Sequence, residues 1–129
     1  MIRVTCAVIV EDGKVLCAKR SASMKMPLKW EFPGGKVEET ETEQQSLVRE
    51  IAEELSVLIA IEEKWPSVFH TYINGPQLEL IPFKANIIQG KPVASEHERL
   101  EWYPFAHLRE LDWAEADLPI VEYLLQAFS

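Results

Sequence analysis

The sequence predicts an α+β fold in a single domain, and three observations lead there. The chain has 129 residues, 47% of them apolar, which is enough for one core. Several β-branched runs are bounded by turn residues, as strands are. Two stretches instead carry apolar residues at helical spacing, and no internal repeat, low-complexity tract or linker divides the chain.

The elements follow in order. Ile2 to Val10 is a β-branched apolar run, Glu11-Asp12-Gly13-Lys14 is turn chemistry, and Val15 to Lys19 resumes the run, which predicts a hairpin. Arg20 to Lys29 is polar and reads as a loop. Trp30-Glu31-Phe32 is a short extended piece stopped by Pro33-Gly34-Gly35, where glycines allow a sharp turn and close backbone approach. A helix is expected from about Glu41 to Leu55. Strands are expected over Ser67 to Ile73 and Leu78 to Ile88, separated by the turn Asn74 to Gln77, with a short one over Leu100 to Tyr103. A last helix is expected over Leu118 to Phe128, with Pro119 tolerated in its first turn.

The formal net charge of -8 argues against binding to nucleic-acid polymers or anionic membranes, since phosphate backbones call for a basic surface. A polyanionic substrate would require a bound cation. No apolar run approaches the roughly 20 residues of a membrane span, so a cytoplasmic protein is expected. Cys6 and Cys17 lie in apolar strand-like runs without metal-ligand spacing and read as buried free thiols, ahead of a disulfide or metal site. His70, His97 and His107 likewise lack ligand spacing and read as surface or packed side chains.

The first helix carries the chemistry. Stepping about 100° per residue, Leu47, Val48, Ile51, Ala52 and Leu55 fill an arc of about 140°, and Glu50, Glu53 and Glu54 a separate arc of about 100°. The competing reading is a solvated acidic face. Against it, like charges at these spacings repel, and the acids occupy the last turns, where the helix dipole favours cations. Arg49 relieves Glu53 at i,i+4 and leaves the other two uncompensated. A hard divalent cation takes oxygen ligands of this kind together with phosphate oxygens. Gly34-Gly35 can bring backbone groups close to an anion, and Lys36 adds a positive head. Together these residues describe a site for metal plus phosphate.

The spacing Gly35, five residues, Glu41, seven residues, then Arg49-Glu50-Ile51-Ala52-Glu53-Glu54-Leu55-Ser56-Val57 resembles the Nudix box, residues 35–57, with Ser56 where the family has glycine. Trp30-Glu31-Phe32-Pro33-Gly34-Gly35-Lys36 looks like the segment before the box in MutT-type nucleoside-triphosphate pyrophosphohydrolases. Ser95-Glu96-His97-Glu98 followed by Trp102, and Ala116-Asp117-Leu118-Pro119-Ile120, are similar to segments of the bacterial CTP pyrophosphohydrolases.

That resemblance implies a Nudix-type α/β/α sandwich with a mixed β-sheet over residues 1–129 and Mg²⁺- or Mn²⁺-dependent hydrolysis of a nucleoside triphosphate to monophosphate and pyrophosphate. It makes Glu50, Glu53 and Glu54 metal ligands, with the Gly35 carbonyl and the more distant Glu96 beside them. Arg49 and Glu41 tie loop to helix. Glu50 is the first choice for the general base and Glu96 the second. Arg20, Gly34 and Lys36 match positions near the phosphates, although solvated surface charge is the competing reading for Arg20 and Lys36. Phe32 matches a pocket wall. Asp117 matches a base-contacting position, where an ionised carboxylate would accept a hydrogen bond from cytosine N4; ordinary helix N-capping is its competing reading. The turn Asn74 to Gln77 lacks an arginine that some relatives carry nearby, which weakens transfer of base preference. Ser56 is expected to strain or rearrange the helix end without removing a ligand. Expected substrates are (d)CTP or a modified cytosine nucleotide, with 8-oxo-dGTP as a same-chemistry rival and a non-catalytic nucleotide sensor as another. The expected partner is the nucleotide alone, the chain acting as monomer or homodimer.

Overall fold

The computed structural model describes residues 1–129. Strand β1 (Ile2–Glu11) is the spine of the sheet. Asp12 and Gly13, with φ of 51° and 74°, turn it back tightly into β2 (Lys14–Lys19), the predicted hairpin. Along its length β1 pairs in parallel with β7 (Gln77–Gln89). Its other edge divides between β2 at one end and β4 (Gly34–Lys36) at the other. Strand β2 also pairs with β3 (Trp30–Glu31) and β8 (Arg99–Pro104), while β5 (Leu58–Lys64) and β6 (Val68–Thr71) lie against β7.

Because β1 is covered on both faces, it reads as a continuous apolar run with no alternation. Ala7 and Ile9 pack with Leu47, Ile51 and Leu55 of α1 (Glu43–Leu55). Cys6 and Val8 pack on the opposite side with Trp30, Phe32, Trp113 and, from α2 (Leu118–Ala127), Ile120, Val121 and Leu124. The result is a mixed sheet between two helical layers, as expected. Cys6 and Cys17 are buried and free.

Four expectations change. Gly34 and Gly35 form a strand beside β1 instead of a sharp turn. A Cβ on Gly34 would lie 1.9 Å from the Thr5 carbonyl oxygen, so the close approach is real although the turn is not. Helix α1 starts at Glu43, because Thr42 caps it: Thr42 Oγ1 accepts from Gln45 N–H at 3.1 Å and Gln45 Oε1 accepts from Thr42 N–H at 3.0 Å. Ala52, placed on the apolar face by helical stepping, is exposed, and Ser46 is buried in its stead with its hydroxyl donating to the Lys36 carbonyl at 3.0 Å. Strand β5 has no counterpart in the sequence reading. It is an edge strand with two register shifts, and its Glu62-Glu63-Lys64 end carries charge of the kind that protects sheet edges and masks strand periodicity.

Ser56 keeps the left-handed conformation at φ 60° and ψ 33°, and its N–H donates to the Ala52 carbonyl at 3.1 Å. The helix end is therefore retained with a strained residue, not rearranged. No helix is long and apolar enough to cross a membrane.

Candidate active site

The pairing of β4 with β1 and the packing of α1 over the sheet bring Gly35 against Glu50. A Cβ on Gly35 would fall 2.4 Å from Glu50 Oε2, so only glycine leaves room for that carboxylate. The Gly35 carbonyl accepts from the buried Thr5 hydroxyl at 3.3 Å, which orients it beside the helix. Arg49 forms a two-pronged pair with Glu41, Nε to Oε2 at 2.7 Å and Nη2 to Oε1 at 2.9 Å, and so ties the preceding loop to the helix. Its Nη1 also reaches Glu50 Oε1 at 3.1 Å and Glu53 Oε2 at 3.3 Å. Helical stepping assigned Arg49 to Glu53 alone, and the structure corrects this: Glu50 shares it, and only Glu54 lacks a cationic partner.

Glu54 is half-buried, and its Oε2 is shielded from solvent with no hydrogen-bond partner. Burial, followed by the charges of Glu50, Glu31 and Glu96, pushes its carboxyl up to about 8. Glu96, far along the chain and exposed, follows Ser95, whose hydroxyl donates to the Glu54 carbonyl at 2.9 Å, while Glu53 points outward with 61% of its side chain exposed. As they stand, no three of the acidic, histidine or cysteine side chains converge tightly enough to grip an ion. Arg49 holds Glu50 and Glu53 to its own guanidinium. The donors nevertheless fit a hard cation. They are all oxygens, one is an orphaned buried carboxylate oxygen, and a glycine cradle keeps the carbonyl next to Glu50 open.

A second group of residues adjoins the acids. Trp30 N–H donates to the Asp112 carbonyl and Ala114 N–H to the Trp30 carbonyl, both at 2.9 Å, pinning the segment before α2 to β3. This brings Asp117 to Phe32, whose N–H donates to Asp117 Oδ2 at 2.9 Å. The Phe32 ring packs on Trp113 with centroids 4.8 Å apart. Asp117 stands at the start of α2 without capping it, so the N-capping reading is overturned. Its carboxyl is pushed well above the usual range by burial and then by Glu31, against the opposing pull of Phe32 N–H and Arg20. A permanently ionised Asp117, as the sequence reading assumed, is therefore not what its surroundings favour.

Arg20 is already engaged, Nη1 donating to Glu31 Oε1 and Nε to the Lys25 carbonyl, both at 2.6 Å. Lys36 is exposed, and Gly34 is occupied by sheet packing.

Three contributors escaped the sequence reading: Glu31, His97 and Tyr72. The charge of Glu31 raises the carboxyls of both Glu54 and Asp117, and a signal for it existed, since an acid between two apolar aromatics on a strand must face away from them. His97 Nε2 lies 2.8 Å from Glu31 Oε2, and the Tyr72 hydroxyl accepts from Ala116 N–H at 3.0 Å, buttressing the turn that carries Asp117. Neither has a local sequence signal. A broad hollow elsewhere, lined by Glu11, Asp12, Lys14, Gln89, Gly90 and Trp102, contains none of these residues. Charged ligands are held by converging polar groups more than by cavity size, so the acidic cluster is the better candidate.

The family model described as the NUDIX domain matches residues 1–124. The chain belongs to the Nudix family. Among its relatives is the CTP pyrophosphohydrolase of Escherichia coli K12, 35% identical over 95% of this chain and 90% of that protein. The putative 8-oxo-dGTP diphosphatase 2 of Mycobacterium tuberculosis is 34% identical over 88% of this chain and 81% of its own length. The solution structure of the E. coli ORF135 protein superposes with a TM-score of 0.86 at 34% identity, covering 100% of this chain and 91% of that one. The chain is thus a Nudix hydrolase, and its fold is also that of the MutT Nudix hydrolase from Burkholderia pseudomallei, with a TM-score of 0.82 at 31% identity over 94% of this chain and 95% of that one.

Proposed function

We propose that this Nudix enzyme hydrolyses a nucleoside triphosphate, (d)CTP or a modified cytosine nucleotide, to the monophosphate and pyrophosphate with Mg²⁺ or Mn²⁺. The observation that carries the reading is the meeting of Gly35 with Glu50 beside the orphaned oxygen of Glu54. The Gly35 carbonyl, Glu50, Glu53, Glu54 and Glu96 would hold the cation. Bound there, a divalent ion neutralises phosphate oxygens and lowers the pKa of an attacking water.

The remaining steps belong to the chain. Glu50, seated against Gly35 and steadied by Arg49, would accept the water proton, with Glu96 as the alternative acceptor. Arg49 and Glu41 keep the loop that carries Gly35 fixed to the helix that carries the acids. Lys36, next to Gly35 and exposed, is free to meet a phosphate. Phe32 and Trp113, packed ring on ring in the core, would back the base, with Asp117 beside them. When ionised, Asp117 would accept from an exocyclic amino donor such as cytosine N4 and disfavour a base presenting only a carbonyl there. The protonated form, which burial favours, carries an O–H that would serve a carbonyl as well, so the preference for cytosine should sharpen as the group ionises.

The second reading, hydrolysis of 8-oxo-dGTP, is favoured by the name of the mycobacterial relative. Initial rates across CTP, dCTP, 5-methyl-dCTP, 8-oxo-dGTP, UTP and dTTP with Mg²⁺ decide between them. The expected result is a preference for the cytosine nucleotides; equal or lower rates on them would end the cytosine reading. A non-catalytic sensor has no need for the full set of box acids, and Glu53→Gln tests that point. The variant should stay folded and lose most metal-dependent turnover, and unchanged hydrolysis would refute the metal-site assignment.

A further inference from the structure

Pro92 to Glu98 forms no helix or strand, yet it is fastened at four places. Val93 N–H donates to the Leu55 carbonyl at 2.9 Å, the Ser95 hydroxyl to the Glu54 carbonyl at 2.9 Å, and Glu98 N–H to the Lys19 carbonyl at 2.9 Å. The fourth fastening is the His97 ring, whose Nε2–H donates to Glu31 Oε2 at 2.8 Å. Between these anchors sits Glu96, itself exposed and without a hydrogen bond of its own to fix it, directly after Ser95, whose hydroxyl holds the Glu54 carbonyl.

His97 is unlike its neighbours. Its side chain is 3% exposed, while Glu96 and Glu98 are exposed. Its Nδ1 is buried with no partner, a cost that an apolar side chain would avoid. What histidine supplies, and an apolar residue does not, is the bond to Glu31. The other Glu31 oxygen takes Arg20 Nη1 at 2.6 Å, so the carboxylate is gripped from both sides.

We propose that His97 is a positioning residue: through its Nε2–H bond to Glu31 it latches the 92–98 segment across the acidic cluster and sets where Glu31 and Glu96 stand relative to Glu54. The inference rests on the proposed reading of that cluster as the reaction centre. His97 touches no reacting atom; it acts through the two carboxylates.

The test compares His97→Gln with His97→Asn, which differ by one methylene. A glutamine amide nitrogen can occupy the place of Nε2 and reach Glu31, whereas the asparagine amide is too short. His97→Leu provides a second break of the same bond. Amide hydrogen exchange of Val93 and Glu98 should accelerate about tenfold or more in the Asn and Leu variants and stay near wild type in the Gln variant. With the nucleotide that gives the highest wild-type rate, kcat should fall about tenfold or more in the Asn and Leu variants with KM changed less than about threefold, and should recover in the Gln variant. Glu96→Gln should cost less in the His97→Asn background than alone, because the carboxylate is already displaced. Unchanged exchange at Val93 and Glu98, or a Gln variant as impaired as the Asn variant, would overturn the latch. Faster exchange with unchanged kcat would overturn the positioning role. Should the wild-type protein hydrolyse no nucleotide with Mg²⁺, the proposed function fails, and the exchange arm still decides the latch.

Discussion

Gly35 and Glu50, fifteen positions apart in the chain, are in such close contact that a Cβ on Gly35 would fall 2.3 Å from the Glu50 carboxyl carbon. The neighbouring Gly34 faces backbone instead, with a Cβ falling 1.9 Å from the Thr5 carbonyl oxygen. The two glycines should therefore fail differently. Gly35→Ala displaces a flexible side-chain end, so the fold persists and kcat drops about 100-fold. Gly34→Ala pushes β4 off β1 and should lower stability by about 2–3 kcal/mol. Thermal unfolding and initial rates on both variants check this, and wild-type turnover in Gly35→Ala would contradict it.

Arg49 holds Glu41 with two hydrogen bonds and touches Glu50 and Glu53 as well. Arg49→Lys keeps the charge but lacks the fork that matches a carboxylate. Activity should fall about tenfold or more while the circular dichroism spectrum is unchanged. Arg49→Lys at full activity would show that charge alone suffices.

Ser56 sits at φ 60° as the residue that ends α1. Ser56→Gly should raise stability by about 0.5–1 kcal/mol, since glycine adopts the left-handed conformation without the side-chain clash and gives back part of the gain in unfolded-state entropy. The readout is the urea midpoint, with turnover unaltered. A lower midpoint would mean that the serine is not strained there.

Asp117 sets a pH dependence whose sign follows from its raised pKa. Above the ordinary carboxylate range the unfolded chain has released this proton while the folded protein still holds it. Stability is therefore greatest below that range and declines as pH rises through and beyond it, until the folded carboxyl ionises. Asp117→Asn keeps an oxygen for Phe32 N–H and removes the titration. The difference in urea midpoint between the variant and wild type should grow in the variant's favour from pH 4 to pH 8, about the span of interest; parallel curves would rule the idea out.

Burial drives the thiols of Cys6 and Cys17 above their usual range, with the charge of Asp117 adding to it. Both should react with a disulfide reagent about 100-fold more slowly in the native protein than after unfolding in guanidinium. Two fast thiols in the native state would show that the core around β1 and β2 opens readily.

The hairpin, both helices and the long strand β7 were legible because each carries its own signal: a two-residue turn, helical spacing, or a long apolar-rich run bounded by turn residues. The acidic face and its partner Arg49 were legible for the same reason, since helical spacing alone places them. Strand β5 was not, because its charged end hides its period and its pairing with β7 is a long-range event. The pairing of Glu31 with His97 was not, because 66 positions separate the two ends of their hydrogen bond.

The sequence by itself thus determined the family, the box acids and, Ala52 and Ser46 apart, the core face of α1. These follow from local spacing, turn chemistry and charge, which operate over one or two turns of chain. The tertiary structure alone decided that Glu54 keeps an unpartnered buried oxygen, that Asp117 accepts from Phe32 instead of capping its helix, and that His97 fastens the segment bearing Glu96. Burial and desolvation belong to the packed assembly of distant segments, and no stretch of sequence carries them until the sheet has brought those segments together.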